Sequence, residues 1–365
     1  MGHDNWCDSA ITRNLGLRFP ILQGPFGSGH SSAELAAAVT NAGGLGAYGA
    51  HHLSGEEILA LAGDIRRRCD GPFNLNLWIP REKEWGPASD PARELAYLQR
   101  LAPMYRELSL LEPAHAENPL HRFEDQVEAV LEARPAVFSF VFGIPTPSIL
   151  ARCAERGIRT LGAATTVAEA VALEAAGVDM VIASGLEAGG HRPAFLTEPD
   201  PRSLLTTFTL LPQVRDAVSI PVIAAGGIAD RRGVRAAMAL GADAVQVGTA
   251  FLACNESGAS RLHKRLLHQQ GSTDTVLTRV ASGRMARYIR NRLTESSAGW
   301  PDPALPYPFQ MSLTQSLSRA SMDRNLPDFA TMAAGQTAGL CRHFSAAELM
   351  AALIEDPAQA AAPTT

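Results

Sequence analysis

The sequence of 365 residues has little of what several classes of protein require. Its five cysteines are scattered without a closely spaced pair, which argues against a disulfide framework or a zinc site and favours a reducing compartment. No apolar run approaches the roughly 20 residues of a membrane span. An acidic residue, Asp4, stands where a signal peptide has its basic region. The sequence therefore predicts a cytoplasmic protein with neither a membrane partner nor a metal.

Charge of one sign is also missing from any long stretch. The net charge is −5, and acidic and basic residues are interspersed, so no basic stripe is present to bind the phosphates of a nucleic acid. There is no GxGxxG after the first predicted strand, no Walker A motif and no GxSxG. A nicotinamide-binding Rossmann domain, a nucleoside triphosphatase and a serine hydrolase therefore lack support. A small molecule is the favoured partner.

Short apolar runs alternate with helical patterns from residue 20 to about residue 250. Several runs are apolar on both faces, as the strands of a buried parallel sheet are. They number eight and lie at 19–23, 44–48, 73–79, 136–142, 159–162, 180–183, 221–225 and 244–248. Capping boxes at Ser31, Ser54 and Thr166, each three residues before a Glu, predict helix starts. This alternation favours a (β/α)₈ TIM barrel over an open doubly wound sheet.

Three segments exceed a minimal barrel. Residues 1–254 are predicted to form the barrel, with a long loop or helical insertion at about 80–119 after the third strand. Residues 185–203 are predicted to be an active-site loop on the same face. Residues 255–365 are predicted to be a C-terminal helical extension packed on the barrel, with a frayed tail.

Two glycine turns follow neighbouring predicted strands. Gly226 and Gly227 follow the seventh strand, and Gln246, Gly248 and Thr249 end or follow the eighth. The loops after these strands of a TIM barrel commonly bind a phosphate through backbone N–H groups, where a Cβ would block the approach. A single glycine doublet is equally typical of a tight turn, but two on adjacent strands favour a phosphate site.

A histidine, His191, lies in the glycine-rich loop after the sixth predicted strand. Gly185, Gly189 and Gly190 precede it, and an imidazole titrating near pH 6.5 at this face would accept or donate a proton. The alternative is a surface-loop histidine without a role. His30 stays undecided. We interpret the remaining histidines as surface residues without a role: His3, His51, His52, His115, His121, His263, His268 and His343.

Polar and glycine residues also mark the ends of two earlier strands. Gln23 ends the first predicted strand and is followed by Gly24 and Phe26, while Asn76 lies inside the third. Because an amide is disfavoured inside a strand, Asn76 favours a polar ligand over edge-strand polarity. A barrel that binds a phosphorylated metabolite without catalysis stays open on these residues alone.

Five phrases resemble those of the nitronate monooxygenases, also called 2-nitropropane dioxygenases. They occur in order, within a match from about residue 17 to 345, at 20–25, 41–46, 184–192, 221–228 and 246–249. The resemblance implies an FMN enzyme that oxidises alkyl nitronates with dioxygen to a carbonyl product and nitrite. Its expected partners are a small-molecule substrate and dioxygen, and homodimerisation is left open.

The resemblance also implies roles for individual residues. Gly227 and the turn of Gln246, Gly248 and Thr249 would hold the FMN phosphate, and Gly185 and Gly190 would line the isoalloxazine. Asn76 would touch the ring, with Gln23 and Gly24 also in the cofactor site. His191 matches the catalytic histidine, a base toward neutral nitroalkanes and an orienting group toward nitronates. Phe26, in place of a frequent methionine, would shape the substrate pocket.

A second class of enzyme shares part of this pattern. FMN-dependent enoyl-acyl-carrier-protein reductases and NADH:quinone reductases carry the phrase at 187–191 and need a nicotinamide donor. Pro193, in place of a frequent glycine, and the insertion at 80–119 depart from the nitronate monooxygenase pattern. An NAD(P)H-using reductase therefore stays as the alternative.

Overall fold

The computed structural model describes residues 6–81, 91–116, 118, 120–269, 274–300 and 304–354. The strands are β1 Ile21–Gln23, β2 Gly46–Gly49, β3 Phe73–Trp78, β4 Val137–Val141, β5 Arg159–Ala164, β6 Met180–Ser184, β7 Gly190–His191, β8 Val222–Ala225, β9 Ala244–Val247, β10 Thr275–Thr278 and β11 Ala286–Ile289. The helices are α1 Ala10–Leu15, α2 Ala33–Asn41, α3 Gly55–Arg68, α4 Pro91–Glu107, α5 Phe123–Ala133, α6 Pro147–Glu155, α7 Val167–Ala175, α8 Thr207–Ala217, α9 Arg231–Ala239, α10 Thr249–Leu252, α11 Arg261–His268, α12 Arg292–Ser296, α13 Phe309–Asp323 and α14 Ala346–Ile354.

Eight parallel strands form a nearly closed barrel, in the order β1-β9-β8-β6-β5-β4-β3-β2. The two end strands meet at a parallel bridge between Leu22 and Leu45. The Gln23 side chain strengthens this short seam, because its Nε2 donates to the Ala47 carbonyl (2.8 Å) and its Oε1 accepts from the Ala47 N–H (3.1 Å). The predicted TIM barrel is confirmed.

The barrel strands are apolar on both faces because each face packs against a separate hydrophobic layer. On β8, Ile223 and Ala225 point into the barrel interior with Leu22, while Val222 and Ala224 pack toward the surrounding helices. All eight predicted strands are present, with ends that differ by at most two residues. Continuous apolar runs are typical of such doubly buried strands.

The predicted capping boxes are only partly correct. Ser54 caps α3 with a reciprocal bond to Glu57, as predicted, but α2 is capped by Ser32. The Ser31 hydroxyl instead accepts a hydrogen bond from the Phe26 N–H (2.9 Å). Thr166 caps α7 without a reciprocal bond, because the Glu169 carboxylate accepts a hydrogen bond from the Thr165 N–H instead.

The insertion and the C-terminal region pack together. The described part of the insertion contains α4, whose Tyr97, Leu101 and Tyr105 share a hydrophobic cluster with Leu313 and other residues of the C-terminal region. That region is not purely helical as expected, since β10 and β11 form an antiparallel pair in it. The predicted tail at 357–365 and residues 82–90 of the insertion lie outside the described residues.

A small second sheet joins the C-terminal region to the loop after β6. β11 pairs antiparallel with β7, placing Ala286 opposite His191 and Arg287 opposite Gly190. The Arg192 N–H also donates to the Met285 carbonyl (2.9 Å). The histidine loop is thus part of a sheet.

In the part of the chain that the structure describes, no helix is long and apolar enough to cross a membrane.

Candidate active site

A cavity of about 630 Å³ opens at the carboxyl ends of the barrel strands. It is lined both by loops of the barrel and by side chains of the C-terminal region, including Ser282, Tyr288 and Tyr307. Most of the residues predicted for the site line it: Gly24, Phe26, Asn76, Gly190, His191, Gly227, Gln246, Gly248 and Thr249. The carboxyl face of the barrel is therefore the candidate active site, as is usual for this fold.

Two predicted site residues do not line the cavity. Gln23 is fully buried in the seam between β1 and β2, where both ends of its amide are hydrogen-bonded. Gly185 faces the start of α8, because a Cβ there would lie 2.0 Å from Thr207 Oγ1 and 2.4 Å from Glu187 Oε2. Both residues shape the site through packing.

The glycine turn after β8 has backbone dihedral angles in the region that favours glycine. Gly226 and Gly227 have φ of +104° and +72°, values that favour glycine. The start of α9 is occupied, however, because the Asp230 carboxylate accepts from the Arg232 N–H (2.9 Å) and lies near that of Gly233 (3.4 Å). An anion in the cavity would therefore meet the turn itself and not the α9 terminus.

The turn after β9 offers polar atoms of two kinds. The Thr249 Oγ1 accepts a hydrogen bond from the Gly335 N–H (2.9 Å), which leaves its own hydroxyl proton for an acceptor. No side chain caps α10, whose N-cap is Gly248. Among the described residues, the buried Oε1 of Gln246 is an acceptor without a hydrogen-bond partner. The turn thus presents donors together with one unsatisfied acceptor.

Asn76 is held by its neighbour on β4. Its Nδ2 donates to Ser139 Oγ (2.9 Å), while the residue lines the cavity. Asn74, two residues earlier on β3, accepts a hydrogen bond from the Ser139 N–H (3.1 Å). Part of the polarity inside β3 is therefore used within the barrel.

His191 is partly exposed to the cavity and otherwise enclosed by protein. Its Nε2 lies 2.7 Å from Ser282 Oγ, and its ring makes a T-shaped contact with the Trp78 ring at a centroid distance of 4.9 Å. Burial, and then the positive charge of Arg284, lower the pKa of His191 to about 3. At neutral pH the imidazole is therefore uncharged.

An aromatic wall stands next to His191. It consists of Trp78, Phe142 and Tyr307, and the Arg284 guanidinium lies over their rings at 5.5, 3.6 and 4.4 Å from the centroids. His51 stacks on the Trp78 ring at 3.7 Å with an angle of 8° between planes. Distances of this kind are typical of attractive cation–π and aromatic contacts.

Two histidines interpreted as surface residues are buried, so that interpretation is wrong for them. His51 packs between Trp78 and His52, and burial lowers its pKa well below the ordinary value. His263 is fully buried, with its Nε2 2.9 Å from the Ala333 carbonyl and its ring 5.7 Å from that of His30. Undecided His30 lines the cavity.

The sequence reasoning missed the residues that surround His191. Trp78 ends a barrel strand at the carboxyl face, a position whose side chains commonly reach the active site, so this signal was available. Ser282, Arg284 and Tyr288 come from the C-terminal region and had no such signal. Their approach to His191 depends on the pairing of β11 with β7.

Comparison with known proteins identifies the family. The family model for nitronate monooxygenase matches residues 8–356, and the nitronate monooxygenase of Pseudomonas aeruginosa PAO1 is 43% identical over 350 residues, 95% of this chain and 98% of that protein. The chain belongs to the nitronate monooxygenase family. It is therefore an oxidoreductase of a flavin-dependent family, not a binding protein without catalysis.

Other members and neighbours of the nitronate monooxygenase family agree with this assignment. A probable nitronate monooxygenase of Staphylococcus saprophyticus is 38% identical and covers 92% of this chain and 94% of its own. A nitroalkane oxidase structure from Streptomyces ansochromogenes has a TM-score of 0.87 and 35% identity, covering 96% and 99%. FabK from Thermotoga maritima is less similar, with a TM-score of 0.72 and 28% identity over 95% and 94%.

Proposed function

We propose that this enzyme binds FMN and oxidises alkyl nitronates with dioxygen to a carbonyl product and nitrite. The observation that carries the proposal is the position of His191. Fixed by Ser282, it lines the same cavity as the two glycine turns. Relatives named nitronate monooxygenase and nitroalkane oxidase support the substrate class.

The cavity residues fit FMN. Gly227, Gly248 and Thr249 would hold its phosphate with backbone N–H groups and a hydroxyl. The unsatisfied Oε1 of Gln246 needs a donor, which a flavin carries as N–H on its ring and O–H on its ribityl chain. When bound, FMN supplies the electron acceptor that amino-acid side chains lack.

His191 has a different task with each form of the substrate. A neutral imidazole has one nitrogen that donates and one that accepts a hydrogen bond. With a nitronate, which has already lost its α-proton, the imidazole orients the nitro group. With a neutral nitroalkane, the accepting nitrogen removes the α-proton. Ser282 holds the ring in both protonation states, because its hydroxyl donates or accepts.

The replacement His191→Asn tests the role as a base. Asparagine keeps a hydrogen-bond donor but cannot accept a proton at neutral pH, so turnover of a neutral nitroalkane should fall by roughly 10²–10⁴-fold. Turnover of the matching nitronate should fall much less. Steady-state rates on both forms of one substrate, with matched flavin content, measure this difference.

A control and two contrary outcomes complete this experiment. His263→Asn removes a buried imidazole that does not line the cavity, and it should leave the ratio of the two rates unchanged. Equal losses on both substrate forms for His191→Asn would refute the base role. No loss on either form would remove His191 from the reaction.

The alternative function is that of an NAD(P)H-using flavin reductase. Structural likeness to FabK supports it, although that likeness is weaker than the one to the nitroalkane oxidase. Anaerobic mixing of the purified enzyme with a nitronate and, separately, with NADH or NADPH distinguishes the two. We expect rapid bleaching of the flavin by the nitronate, whereas rapid bleaching by the nicotinamide alone would favour the reductase.

Location in the cytoplasm and homodimerisation stay predictions.

A further inference from the structure

Two stacked aromatic rings lie in the cavity wall next to His191. The ring of His51 is parallel to the indole of Trp78, with a centroid distance of 3.7 Å and an angle of 8° between the planes. Trp78 also makes a T-shaped contact with the His191 ring at 4.9 Å, and all three residues line the cavity. The indole therefore contacts one imidazole that the proposed reaction uses and one that it does not.

His51 is held in place on its other sides. The buried side chain of Gln126 on α5 donates to the His51 carbonyl (2.9 Å) and to the Leu53 carbonyl (2.7 Å), which fixes the backbone. Gly27 leaves room for the imidazole, because a Cβ on residue 27 would lie 2.2 Å from His51 Cε1. The exposed fraction of His51 is only 5%. The indole is thus stacked on a ring that has little freedom to move.

Hydrogen bonding through Nδ1 does not explain why residue 51 is a histidine. Among the described residues, this buried nitrogen has no hydrogen-bond partner. A buried polar atom without a partner lowers stability. The side chain does provide a flat surface against Trp78, and a larger ring at position 51 would press against the Gly27 backbone. Stacking on Trp78 is therefore the contribution of His51 that the geometry supports.

A substrate that reacts next to His191 must also meet Trp78. A reacting atom lies about 3–3.5 Å from its catalytic group. The centroids of the His191 and Trp78 rings are only 4.9 Å apart, so the substituent on the α-carbon of a substrate comes within van der Waals distance of the indole. Phe142 extends this surface, since its ring makes T-shaped contacts with Trp78 at 5.0 Å and with His191 at 6.2 Å. The surface is apolar and fixed, so it accepts an alkyl group of limited size.

We propose that Trp78 is a specificity-determining residue that limits the size of the substituent on the α-carbon, and that His51 is a positioning residue that acts through Trp78. This inference rests on the proposed function, because it needs a substrate that reacts next to His191. It assigns small, unbranched alkyl nitronates as the preferred substrate class. Loss of the indole should admit larger substituents directly. Loss of the His51 ring should admit them because the indole can move into the vacated space.

Two nitronates of different size test the role of Trp78. The nitronates of nitroethane and 3-methyl-1-nitrobutane carry a methyl and an isobutyl group on the α-carbon, and the parent should have the higher kcat/KM with the smaller one. In Trp78→Leu, the ratio of kcat/KM for the larger to that for the smaller nitronate should rise by roughly tenfold or more, since one methylene in an apolar pocket changes specificity by roughly 10–200-fold. An unchanged ratio would overturn the role of Trp78.

A double variant tests whether His51 acts through the indole. His51→Ala alone should raise the same kcat/KM ratio, by a smaller factor than Trp78→Leu does. In the Trp78→Leu background, His51→Ala should leave the ratio unchanged, because two residues that act through one contact are not additive. An equal effect of His51→Ala in both backgrounds would overturn the positioning role.

The support of Trp78 by His51 can be measured without substrate, by ¹⁹F NMR of enzyme labelled with 5-fluorotryptophan. The chain has four tryptophans, and the Trp78 signal is the one lost in Trp78→Leu. His51→Ala removes the ring current of the stacked imidazole and frees the indole, so this signal should shift and broaden. A Trp78 signal with the position and width of the parent would refute the support by His51.

A matched control removes another stacked histidine. His268 stacks on Phe344 with a centroid distance of 4.2 Å, and neither residue lines the cavity. His268→Ala should leave the Trp78 signal and the kcat/KM ratio unchanged. The same changes as in His51→Ala would indicate general loosening of the fold and overturn the proposal. Failure of the parent to oxidise either nitronate would refute the proposed function instead, and the NMR spectra would still decide whether His51 supports Trp78.

Discussion

Single histidines are neutral here because the protein encloses them. Burial is the main cause of the lowered pKa of His51, His191 and His263. In the unfolded chain these imidazoles would titrate near pH 6.5. Between that pH and the lower native pKa, the unfolded chain binds protons that the native state does not. Acid therefore favours unfolding.

The replacement His263→Gln tests this linkage at one residue. The pKa of His263 is lowered to about 3. Below pH 6.5 this residue should therefore lower the free energy of unfolding by about 1.4 kcal/mol for each pH unit of acidification. The free energy of unfolding of the parent should fall more steeply between pH 6 and pH 5 than that of the variant. Denaturant titrations at both pH values measure the slopes. Equal slopes would contradict the assignment of a neutral buried His263.

At the scale of elements, we expect the glycine turn after β8 to decide cofactor binding. Gly227→Val adds a β-branched side chain next to Glu187, at a cavity-lining residue with a φ of +72°, and should abolish flavin binding. Backbone strain of about 1–3 kcal/mol accompanies the change. Absorbance of the purified variant measures the bound flavin.

The control for this strain is Gly157→Val. Gly157 has a φ of +70°, is exposed, and lies between α6 and β5 outside the cavity lining. It should lose similar stability and keep its flavin. If both variants kept flavin, the turn would not hold the phosphate. If both lost it, strain alone would explain the result.

The elements themselves were predictable to different degrees. Barrel strands such as β8 could be predicted from apolar runs, and the turns after β8 and β9 could be predicted from their glycines, because both signals are local in the sequence. The contact of Ser282 with His191 joins residues 91 positions apart, so no local pattern contains it. Gln23 shows the converse: the family resemblance implied a place in the cofactor site, whereas its amide is hydrogen-bonded in the short seam between β1 and β2.

The whole molecule is built so that the barrel and the C-terminal region share one cavity. Tyr288 and Tyr307 form part of its lining, and α4 packs on α13 through Tyr97, Tyr105 and Leu313. The boundary predicted at residue 254 therefore separates two parts that bury each other's apolar surface. We expect neither part to retain the cofactor alone.

Truncation after residue 254 tests this interdependence. All eight barrel strands remain, but the apolar face of α4 and one side of the cavity are exposed. We expect an aggregated product without flavin, measured by size-exclusion chromatography and absorbance. A monomeric, flavin-binding product would show that the barrel is an independent domain.

The pairing of β7 with β11 has a consequence for synthesis on the ribosome. His191 leaves the ribosome long before Ser282 and before Thr337, a late residue that also lines the cavity. At roughly 5–20 residues per second, several seconds separate synthesis of the last barrel strand from synthesis of Thr337. The cavity is complete only once Thr337 has been synthesised, so cofactor capture by the finished site follows synthesis of both the barrel and the C-terminal region.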